Sequence, residues 1–175
     1  MKLTIHIEDA EVRALLERAQ RALGDLTPVM HEIGQKYERR VLENFAKEQA
    51  PDGTPWPRLA ATTLMMGLSR GKRIGKRGGL TGKGRAYLQN KQALVESGRL
   101  RTRVHYQAGT SSVKVGVAGL EYAAIHQFGG MAGRGRKVRI PARPYLAMSK
   151  GNKMMLAPQD RQMVLDTIKK HLEKI

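Results

Sequence analysis

The chain of 175 residues contains no cysteine. That absence removes disulfides, thiolate metal sites and thiol nucleophiles together, and it suits a reducing cytoplasm. Aromatic residues are scarce, at 5%, with one tryptophan and two phenylalanines. The stacking platforms of a single-strand nucleic-acid binder are therefore hard to assemble, and only Tyr87 falls within the most basic stretch. No apolar run reaches the roughly 18 residues of a membrane span, and MKLTIHIEDAEVR turns acidic where a signal peptide needs its apolar stretch. The expectation is a soluble, unexported protein with no membrane role. Negative charge is also in short supply: 15 Asp and Glu face 32 Lys and Arg, for a formal net charge of +17 and a pI near 10.6. Such a balance asks for a polyanion or an acidic surface nearby, and composition alone does not choose between nucleic acid, protein and membrane.

A chain of this length fits one domain, here residues 1–175, and buries roughly two thirds of its accessible surface on folding. Residues 3–7, LTIHI, alternate as a half-buried strand does. Asp9 then caps a helix through about Leu23, with apolar residues at helical spacing and Gly24 as its stop. Thr27 as N-cap and Pro28 at the first helical position predict a second helix. Its apolar stripe is Met30, Ile33, Tyr37, Val41, Leu42 and Phe45. PDGTPWPRL, residues 51–59, is a turn-rich connection. Between Asp52 and Glu96 there is no acidic residue, while glycine and cations accumulate. The stretch at about 69–91 therefore reads as a flexible basic arm, whose glycine entropy and charge repulsion oppose packing. Alternation resumes in LRTRVHYQAGTSSVKVGVAG and predicts a β-hairpin over 99–118, with Leu100, Thr102, Val104 and Tyr106 on one face and Val113, Val115 and Val117 on its second strand. A short helix follows over Glu121–Phe128, ended by Gly129 and Gly130. A second basic loop, MAGRGRKVR, leads into IPARPYLAMS, whose prolines permit only extended or turn structure. A last helix starts at about Pro158. The fold class is α+β: an antiparallel sheet with long helices packed on it and a protruding basic loop.

The patterns of catalysis are missing. A phosphate-binding loop needs glycine five positions before a Gly-Lys pair and a hydroxyl after it, whereas Arg77 and Gly84 stand there around Gly82 and Lys83. The histidines at 6, 31, 105, 126 and 171 include no pair at the i, i+4 spacing of a helical metal site. Carboxylates cluster in the terminal helices, away from the converging arrangement that metal-dependent phosphodiester cleavage needs. No catalytic residue, metal or cofactor is expected, and the chain is read as no enzyme. What remains are contact surfaces. Arg70, Lys72, Arg73, Lys76, Arg77, Lys83 and Arg85 form a candidate contact for DNA or an acidic partner. Eight neutralised phosphates would give a salt slope of about minus seven without sequence preference. Trp56, between Pro55 and Pro57, reads as a buried anchor rather than a stacking platform. Tyr122, His126, Gln127 and Phe128, with Arg143 and Tyr145, form a candidate subunit interface, because aromatic and arginine residues carry interface energy.

Four ordered motifs give the chain a family likeness. ENFAKEQAPDGTPWPRL, LVESGRLRTRV, VKVGVAGLEYAAIHQFGG and IPARPYLAMS together resemble the phage virion morphogenesis family, the tail completion proteins of Mu-like phages. The likeness runs from about Pro28 to Ser149 and rests on Asp52, Gly53 and Trp56, on Ser97, Gly98 and Leu100, on Tyr122, Ala123, His126, Gln127 and Gly129, and on Arg143, Pro144 and Tyr145. It implies a structural subunit of the neck or tail terminus that assembles as a homo-oligomeric ring with other neck, connector or tail proteins. It would lie at the head-tail junction of the virion, after assembly in the host cytoplasm, with nonspecific contact to packaged DNA. The alternative is a nonspecific nucleic-acid binding protein with no virion role.

Overall fold

The computed structural model describes residues 2–4, 9–150 and 153–173. Helix α1 (Ala10–Leu23) begins where the Asp9 carboxylate accepts the N–H groups of Glu11 and Val12, and it ends at Gly24, whose φ of 71° suits glycine. Helix α2 (Thr27–Lys47) follows. Thr27 is its first helical residue rather than its cap; the Asp25 side chain accepts the Thr27 N–H at 2.9 Å instead. The α2 stripe is buried through Met30, Ile33, Tyr37, Val41 and Phe45, but Leu42 lies off it and is exposed. One residue of drift in a 3.6-residue period is enough to turn a side chain from core to solvent.

The sheet has three antiparallel strands in the order β1 (Lys2–Thr4), β3 (Val113–Ala118), β2 (Val104–Ala108). Of the strand expected over 3–7, residues 3 and 4 lie in β1, and residues 5–8 lie outside the described residues. The hairpin turn closes with the Gly109 N–H on the Ser112 carbonyl at 2.8 Å. Leu100 and Thr102 do not extend this hairpin. They belong to a helical turn, α5 (Arg99–Thr102), entered through Gly98 at φ 69°. Alternation over so short a run does not separate a strand from a turn that buries one residue, here Leu100.

Helix α2 lies across β2 and β3 and packs against α7 (Pro158–Leu172), which also contacts α1. It reaches the sheet closely because Gly34 faces the Tyr106 ring; a Cβ there would stand 2.2 Å from the ring. Two apolar clusters result. One joins Tyr37, Val41, Phe45, Trp56, Val104, Val117, Tyr145 and Leu146; the other joins Ala19, Leu26, Met30, Ile33, Val164 and Ile168. Each large side chain buried this way contributes about 1.5–3 kcal/mol. Ion pairs tie the helices together: Arg40 Nε donates to buried Asp160 at 3.0 Å, and Arg161 Nε donates to the capping residue Asp9 at 2.6 Å. Burial pushes the Asp160 carboxyl up while Arg40 pulls it down.

The basic stretches take more regular structure than their composition suggests. Helices α3 (Ala61–Arg70) and α4 (Gly82–Asn90) flank a turn bridged between Ile74 and Leu80, so the stretch at about 69–91, expected to be a flexible arm, holds the end of α3, that turn and α4. The loop after Gly129 is likewise a hairpin, of β4 (Gly130–Ala132) and β5 (Val138–Ile140) around a 3-10 turn at Arg134–Arg136. Another short hairpin pairs β6 (Met148–Lys150) with β7 (Lys153–Met155).

Candidate functional site

The four sequence motifs meet at one place. Asp52 Oδ1 accepts the Thr54 N–H at 2.9 Å and Gly53 adopts φ 89°, which turns the chain sharply after α2. The turn delivers Trp56 into the core. Its ring meets Phe45 edge-on at 5.6 Å, and Phe45 in turn packs on Tyr145 at 5.1 Å. Helix α6 (Ala123–Phe128) brings Ala123 and Gln127 inward before Gly129 ends it. The segment from Arg143 to Ala147 passes through this centre without joining a sheet, so its backbone needs other hydrogen-bond partners.

Side chains supply most of them. Trp56 Nε1 donates to the Pro144 carbonyl at 2.7 Å. Gln127 Oε1 accepts the Tyr145 and Leu146 N–H groups, each at 3.0 Å, while its Nε2 donates to the Ala147 carbonyl at 2.8 Å. Asn44 Nδ2 donates to the Tyr145 carbonyl at 3.2 Å, and the Tyr37 hydroxyl donates to the Leu146 carbonyl. The Arg143 N–H reaches the His126 carbonyl at 2.7 Å, and its guanidinium donates to the carbonyls of Pro57 and Arg58 at 2.9 and 3.0 Å. Tyr145 closes the circuit by donating its hydroxyl to the Ala123 carbonyl at 3.1 Å. Low dielectric strengthens such a network and makes each missing member costly.

This geometry reassigns part of the candidate interface. The segment around Tyr122–Gly130 and the residues Arg143, Pro144 and Tyr145 do lie side by side, but Tyr145 is 0% exposed, Gln127 1% and Arg143 4%. Those three hold the chain's own core and offer a neighbour no side-chain surface. Burial raises the Tyr145 hydroxyl pKa and lowers that of the Arg143 guanidinium, the latter against the nearby Glu48 carboxylate. His126 is half-buried, and burial followed by the Arg143 charge lowers its pKa, favouring the neutral ring. Tyr122 and Phe128 are the members that remain exposed.

The charge is unevenly placed. Residues 53–159 hold 20 of the 32 Lys and Arg but only Glu96 and Glu121 among acidic residues. On the α3–α4 hairpin, Arg70, Lys72, Lys76, Arg77, Lys83 and Arg85 are exposed. Arg73 is not a free contact: it stacks 4.2 Å over the Tyr87 ring and donates to the Gly67 carbonyl at 2.6 Å, fastening the two helices. Sequence reasoning also missed the apolar component. Of the exposed large apolar side chains, Met65, Met66, Ile74, Leu80 and Leu88 lie on this hairpin, Met131 and Val138 on the β4–β5 hairpin, and Tyr122 and Phe128 at the cap and the end of α6, which leads into it. The signal was present in Met65 and Met66, which no core pattern needed.

Among the described residues no group of three or more His, Asp or Glu is placed to hold a metal ion, and no helix is long and apolar enough to cross a membrane. A cleft of about 490 Å³ opens between α1, α2, β3 and α7, lined mainly by apolar side chains such as Leu16, Met30, Ile33 and Val113.

Comparison with known proteins agrees with the motifs. No solved structure matches this chain. The Mu-like prophage FluMu G protein 2 of Haemophilus influenzae is 31% identical over 172 residues, covering 98% of this chain and 96% of that protein. The model of the phage virion morphogenesis family matches residues 7–173. A match over nearly the whole length, through the residues that build the core, means that this chain belongs to the phage virion morphogenesis family.

Proposed function

We propose that this chain is a structural subunit of the head-tail junction, a neck or tail completion protein that assembles as an oligomeric ring with copies of itself and with neighbouring neck, connector or tail proteins. Its role in phage morphogenesis follows from the family. The observation that supports the finer reading is the division of labour among its residues. Trp56, Gln127, Arg143 and Tyr145 of the motifs fasten the interior, while among the described residues nine of the eleven exposed large apolar side chains lie on two cationic hairpins or on α6 and its cap, which leads into one of them. Large apolar side chains left exposed together with charge on one short element support a binding role for it. Self-contact is assigned to the edge carrying Tyr122 and Phe128 with the β4–β5 hairpin. A ring requires heterologous contacts, so this edge meets a different patch on the next copy.

Mass spectrometry of purified particles, followed by a particle reconstruction, tests the assignment: the chain should be a stoichiometric component located between head and tail. Phe128→Ala should keep the parent circular dichroism spectrum and weaken self-association in sedimentation by at least about 1 kcal/mol. A chain missing from particles refutes the reading. Nonspecific nucleic-acid binding without a virion role is the second reading, favoured by the acid-free basic hairpin; it requires tight, salt-sensitive DNA binding by the free monomer.

A further inference from the structure

The α3–α4 hairpin combines two kinds of exposed side chain that together restrict what can bind it. Arg70, Lys72, Lys76, Arg77 and Lys83 make no ion pair among the described residues, and no carboxylate occurs between Asp52 and Glu96 to neutralise them. Cations left unpaired at this density favour an anionic partner. Interleaved with them are Met65 at 56% exposure, Met66 at 53%, Leu80, Leu88 and Ile74. Met66 and Arg70 stand four residues apart on α3, and Arg85 and Leu88 three apart on α4, so a cation and an apolar group lie side by side on each helix.

We propose that this hairpin is a docking element for an acidic protein surface with an apolar centre, a neighbouring protein of the particle rather than DNA or a second copy of this chain. The proposal rests on the virion-assembly reading and names the partner's chemistry. DNA is the poorer fit because backbone phosphates satisfy cations but give five outward apolar side chains nothing to pack on. A protein interface buries apolar groups at its centre and keeps charge on its rim, and methionine adapts its unbranched chain to the opposing surface. A second copy fits poorly too. It carries the same +17, and six of its fifteen carboxylates, those of Asp9, Glu11, Glu32, Glu43, Glu96 and Asp160, are already engaged with cations of their own chain.

The hairpin's shape is set in advance. Gly67 lies against Tyr87 and Gly84 against the Arg73 carbonyl, contacts a Cβ would block at 1.9 and 2.3 Å. Thr81 caps α4 and donates to the Arg73 carbonyl at 2.9 Å. A preshaped element loses little conformational freedom on docking.

The test places a photo-crosslinking amino acid at position 66, and separately at 88, of the full chain in cells assembling the particle. Adducts are identified by mass spectrometry in the lysate, before particles are purified. The expected adduct is with another particle protein, at a peptide rich in Asp and Glu. Met65→Ser with Met66→Ser should lower the yield from position 88 by about tenfold, and so should Lys76→Glu with Arg77→Glu. Both double variants should keep the parent circular dichroism spectrum, since these side chains are exposed. Adducts only with DNA, only with a second copy, or none at either position overturn the proposal. So does a yield that follows the charge variants and ignores the methionine variants, the pattern expected of DNA. If the chain is absent from particles, the virion reading fails by itself; if it is present but the adducts are of the wrong kind, only the docking proposal fails.

Discussion

Gln127 concentrates the strongest stability prediction, because one side chain satisfies three buried backbone groups in a segment that belongs to no sheet. Replacing it with alanine leaves the Tyr145 and Leu146 N–H groups and the Ala147 carbonyl without the partners they have at 3.0, 3.0 and 2.8 Å. A buried polar group left unsatisfied costs about 1–3 kcal/mol. Three of them, with some relief if water enters the vacated space, cost about 3–6 kcal/mol. Domains of this size are stable by only about 5–15 kcal/mol, so the variant sits near the edge of folding. Gln127→Leu separates the causes, since it refills most of the volume and restores none of the hydrogen bonds. Urea unfolding followed by circular dichroism should show both variants losing several kcal/mol with an unchanged slope against denaturant. If Gln127→Leu unfolds within about 1 kcal/mol of the parent, the network is not what holds the segment. If stability is kept and only self-association is lost, Gln127 belongs to an interface after all.

Trp56→Ala should cost about 3–5 kcal/mol and Trp56→Phe about 1–2, the smaller figure reflecting loss of the Nε1 bond to Pro144 with an aromatic ring retained; equal losses in urea unfolding would contradict this. Gly34→Ala drives a methyl into the Tyr106 ring and should cost about 1–3 kcal/mol, most of which disappears when it is combined with Tyr106→Ala in a double-mutant cycle. Glu32, hydrogen-bonded by Lys36 and His171, has its carboxyl held at about 2 rather than 4.5. A depressed folded pKa contributes stability that is present above pH 4.5 and lost as pH falls towards 2. After solvent screening that contribution is about 1 kcal/mol, and it should vanish from the acid unfolding profile of Glu32→Gln. Amide hydrogen exchange should run faster over residues 69–85 than over α2, because α3 and α4 pack chiefly on each other and bury only Leu68 and Gly84; equal protection in a dilute monomer would refute it.

The sequence by itself determined the helices that frame this molecule. In α1, α2 and α7 the burial period, the Asp9 cap, the Gly24 stop and Pro28 and Pro158 near the helix starts are local signals, and local signals survive whatever the rest of the chain does. It also determined the turn at Asp52 and Gly53 and the β2–β3 hairpin, whose geometry depends on a few adjacent residues. Tertiary structure alone decided which polar and aromatic residues face inward. Arg143, Gln127 and Tyr145 have the composition of an interface, and nothing within a few positions of them reveals that carbonyls of Pro57 and Arg58, 86 and 85 residues away, will meet the Arg143 guanidinium. Apolar residues declare their burial by periodicity, because water rejects them wherever they stand. A polar residue is buried only where distant backbone supplies its hydrogen bonds, and that supply exists only once α2, the 51–58 turn and α6 have come together. The turn and α4 of the α3–α4 hairpin were hidden for another reason: they are held to α3 by the Gly67–Tyr87 contact and the Arg73 stack rather than by an apolar stripe, so glycine and charge alone read as a loop.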